Sequence, residues 1–416
     1  MKDKKVKRFE IFSWCLFDFA NSSYATIIIT AIYPTFFVSY IAPAQKGDFF
    51  WGLSNAFANL LVVIIGPILG AIADIKASKK RHLIFTSLLC IITTSLLYFP
   101  DKGDVLFSMI LIIFSFMAFS LSENFISSFL PEIAPPSKMG KISGYAWSFG
   151  YIGGVLCLVI CVWIINLYGK IEGIKLSMFI TSVFFLTGAL PSFIFLKERS
   201  EKQNIKSNYS YINIAFKKVI NTFKDTKENK NLFIFLLSFF LYYCGIAISI
   251  TFSAIFATEE LKFTTSELMI LIIATNLLAS LGAFIFGFIQ DKIGAKQTII
   301  ITLIIWCIAI AGIYFTSNKI VFFIFGSLIG ISLGSTQSAS RSFVGLLTKE
   351  GRFGEDFGLW GLFGKLAIII GSITFGTIVL ITGSRRIAVL FTLMFFILGL
   401  FVLLKVKIDK QKFSKD

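Results

Sequence analysis

Two short stretches decide how this chain is read: Gly70-Ala-Ile-Ala-Asp74, which leads into Lys79-Lys80-Arg81, and Gly287-Phe-Ile-Gln-Asp291, which leads into Lys292 and Lys296. One lies in each half of a chain of 416 residues. Each stretch closes one apolar run, passes through a short basic turn and opens the next run. The same turn at the same place in two halves is an internal repeat, and many transporter folds are built from such repeats.

Working outward from these turns, the chain resolves into apolar runs of ~20 residues, the length a helix needs to cross a hydrocarbon core ~30 Å thick. Twelve are predicted: Phe12–Phe37, Trp51–Ala73, Leu83–Phe99, Val105–Leu130, Ile142–Leu167, Leu176–Leu196, Leu232–Thr258, Leu268–Ile289, Thr298–Phe315, Ile320–Phe343, Phe357–Ile381 and Ile387–Val406. Hydrophobic residues make up 56% of the chain, above the ~45–50% of soluble domains. The fold class predicted is an all-α membrane protein of twelve transmembrane helices in two pseudo-symmetric six-helix bundles. The polar stretch 197–230 is read as a cytoplasmic linker loop between bundles 1–196 and 231–416. All eight prolines precede residue 192, so any bend in the second half has to use glycine.

The net charge of +16 would suggest nucleic acid in a soluble protein. Its distribution argues otherwise. With the N-terminus inside, 30 of the 39 Lys and Arg residues fall in cytoplasmic segments, eight in outer loops and one, Lys365, within a span. That bias places both termini in the cytoplasm, in an inner or plasma membrane. The basic N-terminus runs into an apolar stretch too long for a signal peptide, and no small-residue cleavage site ends it, so no cleaved leader is expected. All six cysteines lie in apolar runs without metal spacing, and Cys157 and Cys161 at i,i+4 read as packing residues. The one histidine, His82, follows a basic run and is read as a surface residue. No metal and no cofactor is expected.

The repeated Gly-x-x-x-Asp turn resembles the signature loop of the major facilitator superfamily. Three longer stretches narrow the resemblance: Trp14-Cys-Leu-Phe-Asp-Phe-Ala-Asn-Ser-Ser-Tyr-Ala25; Leu130-Pro-Glu-Ile-Ala-Pro-Pro136 with Gly140 and Ser143-Gly144; and Gly334-Ser-Thr-Gln-Ser-Ala-Ser-Arg-Ser342 with Phe357-Gly-Leu-Trp-Gly-Leu-Phe-Gly-Lys365. Together they resemble the bacterial "unknown major facilitator" branch, related to fungal autophagy-linked vacuolar amino-acid effluxers. The resemblance implies a transporter working by alternating access, with spans 1, 4, 7 and 10 lining a central cavity. It implies that Asp74 faces the start of span 11 and Asp291 the start of span 5. Gly70, Asp74, Lys80, Arg81, Gly287, Asp291 and Lys296 are then conformational-switch residues. In the second turn Gln290 stands where a small residue is usual.

Ionisable groups inside a membrane are costly and mark functional candidates. Asp18 lies eight residues past Glu10, about 12 Å along the helix. Glu123 lies eight before Pro131, at a similar depth; Arg341 and Lys365 complete the set. Two acids in the first half and two bases in the second leave a neutral set if they converge. Asp18 and Glu123 are read either as proton sites, raised toward neutrality by burial, or as members of ion pairs that lock a gate, or as groups that bind a charged solute. Asn21, Ser22 and Ala25 share the face of Asp18; Ser120 and Ser127 share that of Glu123; Gln337 and Ser338 share that of Arg341. Tyr24, Tyr242 and Tyr243 are read as closing over a solute or as packing residues. The glycine series Gly66-Gly70, Gly140-Gly144, Gly150-Gly154, Gly330-Gly334 and Gly354-Gly358-Gly361-Gly364 allows helices to approach closely.

The expected partners are a small-molecule solute, the lipid bilayer and protons, with the chain a monomer. A scaffold or sensor would carry a sizeable soluble domain, whereas the longest polar stretch is the short segment 197–230. A membrane-embedded enzyme would need a nucleophile–base pair or a metal cluster. No Gly-x-x-x-x-Gly-Lys-Ser/Thr loop for ATP occurs. A passive facilitator or lipid flippase on the same fold is the remaining alternative.

Overall fold

A computed structural model describes residues 6–42, 46–203 and 230–407. Residues 204–229, most of the linker read at 197–230, lie outside them. So do Pro43 and the basic segments before residue 6 and after residue 407. Among the described residues twelve long helical spans follow one another: α1 Arg8–Ile41, α2 Gly47–Lys76, α3 Lys79–Leu96, α4 Val105–Ser127, α5 Met139–Tyr168, α6 Lys170–Phe195, α7 Lys230–Leu261, α8 Thr265–Ile293, α9 Ala295–Phe315, α10 Lys319–Leu347, α11 Phe353–Thr382 and α12 Arg385–Leu404. No β-strand occurs among the described residues. Eleven of the spans are long and apolar enough to cross a membrane. The twelfth, α3, carries Lys79, Lys80 and Arg81 in its first turn. Helices suit such a chain because each satisfies its backbone polar groups internally, where no water can.

The first span is not one regular helix. It is α-helical over Arg8–Tyr24, π-helical over Ala25–Ala31, α-helical over Tyr33–Phe36 and π-helical over Phe37–Ile41. The 3.6 period that set Ala25 on the face of Asp18 therefore ends at Tyr24. The cause lies in how α1 is fastened to α4. Trp14 Nε1 donates to the Ile126 carbonyl at 2.7 Å, and the hydroxyls of Tyr24 and Tyr33 meet those of Ser115 and Ser108, each at 2.7 Å. Nine residues of α1 thus match a rise of seven on α4. The wider turns of a π-helix take up the excess.

Packing within the halves repeats. In the first, α1 packs on α6, α3 on α4 and α6, and α2 on α4; in the second, α7 packs on α12, α9 on α10 and α12, and α8 on α10. The helix ends are tied alike. Lys80 Nζ donates to the Ile194 carbonyl at the end of α6, and Lys296 Nζ to the Leu404 and Val406 carbonyls at the end of α12. Glu10 accepts the N–H of Lys197 just after α6, and Asn231 accepts that of Lys407 just after α12.

Two helices do not keep to their own half. By packing, one compact unit holds α1–α4, α5 from Phe149, α6 and Glu350–Gly361; the other holds Ala134–Ser148, α7–α10, α11 from Leu362 and α12. The first turns of α11 therefore belong with α1–α4, and the first turns of α5 with α7–α10.

Candidate functional site

Those borrowed turns are held by the two aspartates. In the first unit Asp74, 2% exposed, accepts the N–H groups of Gly354 at 2.9 Å and Glu355 at 2.8 Å. In the second unit Asp291 accepts those of Gly140 at 2.9 Å and Lys141 at 3.2 Å. In both cases the donors are the second and third residues of the helix, α11 or α5. The first N–H groups of a helix have no partner inside it, and the helix dipole adds to their attraction for an anion. One carboxylate thus satisfies two orphan donors at once.

Glycines make the approach possible. A Cβ on Gly70 would stand 2.2 Å from the Gly354 carbonyl oxygen, and one on Gly358 would stand 3.0 Å from that of Gly66. In the other unit a Cβ on Gly144 would stand 2.5 Å from the Ala283 carbonyl oxygen, and one on Gly287 would stand 3.0 Å from that of Gly140. Each seam is therefore backbone against backbone over about one helical turn. Further along α5, Tyr145 stacks on Phe284 at 5.6 Å between centroids, and Ser148 Oγ meets Ser280 Oγ at 2.8 Å.

Arg341 of α10 grips the same stretch of α5. Its side chain, 2% exposed, donates from Nε to Ser143 Oγ at 3.2 Å and from Nη2 to the Ser143 carbonyl at 3.0 Å, with the guanidinium 5.4 Å from the Trp147 ring. Ser143 Oγ in turn donates to the Ser338 carbonyl at 2.9 Å. Gln290, the residue out of pattern in the second turn, donates from Nε2 to Ser342 Oγ, tying α8 to α10.

A second polar cluster closes the same end of the first unit, and sequence reasoning missed it. Lys79 and Glu132 form a buried ion pair, with the Lys79 ammonium 5.1 Å from the Phe129 ring centroid and 5.0 Å from that of Phe353. Glu132 also accepts the N–H of Arg199 at 2.8 Å and the hydroxyl of Ser200 at 2.9 Å. The Arg199 guanidinium donates to both oxygens of Glu10, at 2.7 and 2.8 Å, which raises its pKa above the ordinary value. Glu198 accepts the N–H groups of Lys79 at 2.7 Å and Lys80 at 3.2 Å at the start of α3. Burial pushes its carboxyl above the usual range, while those N–H groups pull it back. Gln203 donates from N to the Ile75 carbonyl and from Nε2 to that of Gly351. Glu132 lay inside the quoted Leu130–Pro136 stretch. Its role was hidden because its partners come from 53 and 67 residues away.

The remaining candidates divide by burial. Asp18 and Asn21 are buried, whereas Ser22 and Glu123 are half-buried. The bonds Trp14–Ile126 and Tyr24–Ser115 bracket Asp18 and Glu123, so these acids lie at one depth of the first unit. Asn21 Oδ1, Ser120 Oγ and Ser127 Oγ are buried with no hydrogen-bond partner among the described residues. Gln337 and Lys365 are half-buried and Arg81 is exposed. Tyr24 and Tyr242 are fully buried with their hydroxyls on Ser115 and Ser340, which leaves neither ring a surface to offer a solute in this conformation. His82 is not a surface residue: it is half-buried, its ring 5.3 Å from that of Phe125 and its Nδ1 2.8 Å from the Ser78 carbonyl.

Comparison with known proteins gives the following likenesses. The profile of a family described as "Vacuole effluxer Atg22 like" matches residues 48–415. The chain is 28% identical over 400 residues to the uncharacterized MFS-type transporter YxiO of Bacillus subtilis (strain 168), covering 94% of this chain and 93% of that protein. It is 22% identical over 391 residues to autophagy-related protein 22 of Kluyveromyces lactis, covering 87% of this chain and 79% of that protein. Among solved structures, the major facilitator proton:xylose symporter XylE superimposes with a TM-score of 0.77 at 15% identity, covering 96% of this chain and 95% of that one. At that identity the likeness shows the fold, which is the major facilitator fold.

Proposed function

Because the chain belongs to the vacuole effluxer Atg22-like family, and is therefore a multi-pass membrane transporter and not an enzyme, we propose that it moves a small amino-acid-like solute by alternating access. The observation that carries this reading is the pair of carboxylate caps, Asp74 on α11 and Asp291 on α5. Each cap holds the first turns of a helix whose remainder packs in the other unit. Such a contact is strong enough to favour one state, at up to ~2 kcal/mol when partly buried, and weak enough to break in each cycle. In this proposal the halves 1–196 and 231–416 are the moving bodies, joined by 197–230. The Asp74 end faces the cytoplasm together with both termini, and the protein works as a monomer in the cell membrane.

Amino-acid efflux is favoured by the resemblance to the fungal effluxers. Asp18 and Glu123 are proposed to carry a proton or meet an ammonium group, and Lys365 to meet a carboxylate. Gly70, Asp74, Gly287 and Asp291 are proposed as the switch, with Lys80, Arg81 and Lys296 holding the ends of neighbouring helices.

The test is counterflow of labelled amino acids in proteoliposomes, with and without an imposed pH gradient. Exchange that depends on protein and is lost in Asp18→Asn supports the reading. Net uptake unaffected by the gradient would remove proton coupling and leave facilitated diffusion. No exchange of any amino acid, with sugars or nucleosides exchanged instead, would overturn the solute class.

A further inference from the structure

The seam between α11 and the first unit contains a buried amide donor without a hydrogen bond among the described residues, as the other seam contains Gln290 Oε1 and Ser338 Oγ. Gly361 is the last residue of α11 in the first unit, and Asn124 of α4 lies directly against it. A Cβ on Gly361 would stand 2.3 Å from Asn124 Oδ1 and 2.4 Å from Nδ2, so the amide fills the notch the glycine leaves. On its other side, a Cβ on Gly66 of α2 would be 3.7 Å from the same Nδ2. The side chain is 8% exposed, and Nδ2 has no hydrogen-bond partner among the described residues.

The repeat supplies the comparison. Arg341 follows Asn124 at the same spacing by which Asp291 follows Asp74. Gly361 comes seven residues after Gly354, the first donor to Asp74; Trp147 comes seven after Gly140, the first donor to Asp291. The pairs Asn124–Gly361 and Arg341–Trp147 thus occupy equivalent places, two turns beyond the carboxylate caps. In one, a cation is bonded to Ser143 and stacked on an indole. In the other, an amide donor is buried with no acceptor among the described residues. A buried, unsatisfied donor opposes whatever contact buries it.

Resting on the alternating-access reading above, we propose that Asn124 is a positioning residue that weakens the hold of the first unit on α11 and so eases release of the Asp74 cap. Asn124 gains hydration only when Gly361 moves away. Its burial therefore raises the closed state relative to the open one without touching the caps themselves.

Hydrogen–deuterium exchange of the full-length protein in lipid nanodiscs reads this directly, because the Gly354 and Glu355 amides are bonded to Asp74 only while the seam is closed. The peptide over 353–361 is the reporter and that over 139–148 the internal control. Asn124→Ala removes the unsatisfied amide and is expected to slow exchange in the reporter, by about tenfold for one unsatisfied donor. Gly361→Ala pushes a methyl into the amide and is expected to speed it. In the double variant the methyl takes the space the amide leaves, and exchange is expected to fall below wild type. The control peptide should not change. Faster exchange in Asn124→Ala, as any cavity-forming substitution would give, overturns the proposal, and so does equal slowing in the control. Asp74→Asn separates the two levels: if it fails to speed exchange in the reporter, the gate reading itself is wrong; if it does and Asn124→Ala does not slow it, only the present inference fails.

Discussion

Gly70 and Gly354 meet backbone to backbone, so closely that a Cβ on Gly70 would lie 2.2 Å from the Gly354 carbonyl oxygen. Its repeat partner, Gly287, has more room, the nearest atom to its Cβ position being the Gly140 carbonyl oxygen at 3.0 Å. Gly70→Ala is therefore expected to abolish closure of the α2–α11 seam, whereas Gly287→Ala leaves partial transport. Initial rates of solute counterflow in proteoliposomes compare them. Equal loss in both would mean that the seam spacing does not control the cycle.

The two carboxylate caps should respond to loss of charge alone. Asp74→Asn and Asp291→Asn keep an oxygen for one N–H group but give up the charge–dipole attraction, worth roughly 0.3–2 kcal/mol at a helix N-terminus. Each is expected to shift the protein toward the state in which its seam is open. Accessibility of a cysteine placed at Phe353 or Met139, the buried first residues of α11 and α5, to a membrane-impermeant maleimide, in a cysteine-free background, measures the shift. Unchanged labelling in both variants would remove the caps from the mechanism.

Lys79 and Glu132 form an ion pair with both side chains out of solvent. Removing one partner from such a pair costs roughly 3–5 kcal/mol, because the other is left buried and uncompensated. Glu132→Gln is expected to lower the thermal midpoint in detergent markedly, and Lys79→Met combined with Glu132→Leu to recover much of the loss. A double variant no better than the single one would assign the stability to the bonds from Arg199 and Ser200 instead.

Asp18→Asn and Glu123→Gln test the depth-matched acids of the first unit. Each is expected to cut transport at least tenfold while leaving the thermal midpoint within a few degrees of wild type. A carboxylate that carries the proton also makes uptake depend on the pH gradient, and that dependence should vanish in the responsible variant. Wild-type flux in both variants would take these acids out of the pathway.

Most of the architecture was legible because it is written in local runs. The apolar stretches mark the spans within a few residues, and the Gly-x-x-x-Asp turns mark the repeat. What was hidden was non-local or shares a pattern with something ordinary. Ala25–Ala31 reads as plain apolar helix; its π-helical turns come from spacing against Ser115 and Ser108, which belong to a different helix. Gly361 sits in a glycine series that signals close packing, but nothing near it names Asn124 as the group it receives. Arg341 was recognisable as a buried cation. Its partners Ser143 and Trp147 were not, since they lie on α5, in the other half of the sequence.

The borrowed first turns of α5 and α11 also set a timetable for synthesis. Gly140 is made 151 residues before Asp291, and Asp74 waits 280 residues for Gly354. At ~5–20 residues per second, Asp74 stays without its helix for roughly 14–56 s. Once α6 ends at Phe195, the rest of that interval leaves the nascent first half with its spans made and its seam open. A ribosome that stalls before α11 leaves Gly66 and Gly70 of α2 without the backbone that covers them in the finished protein.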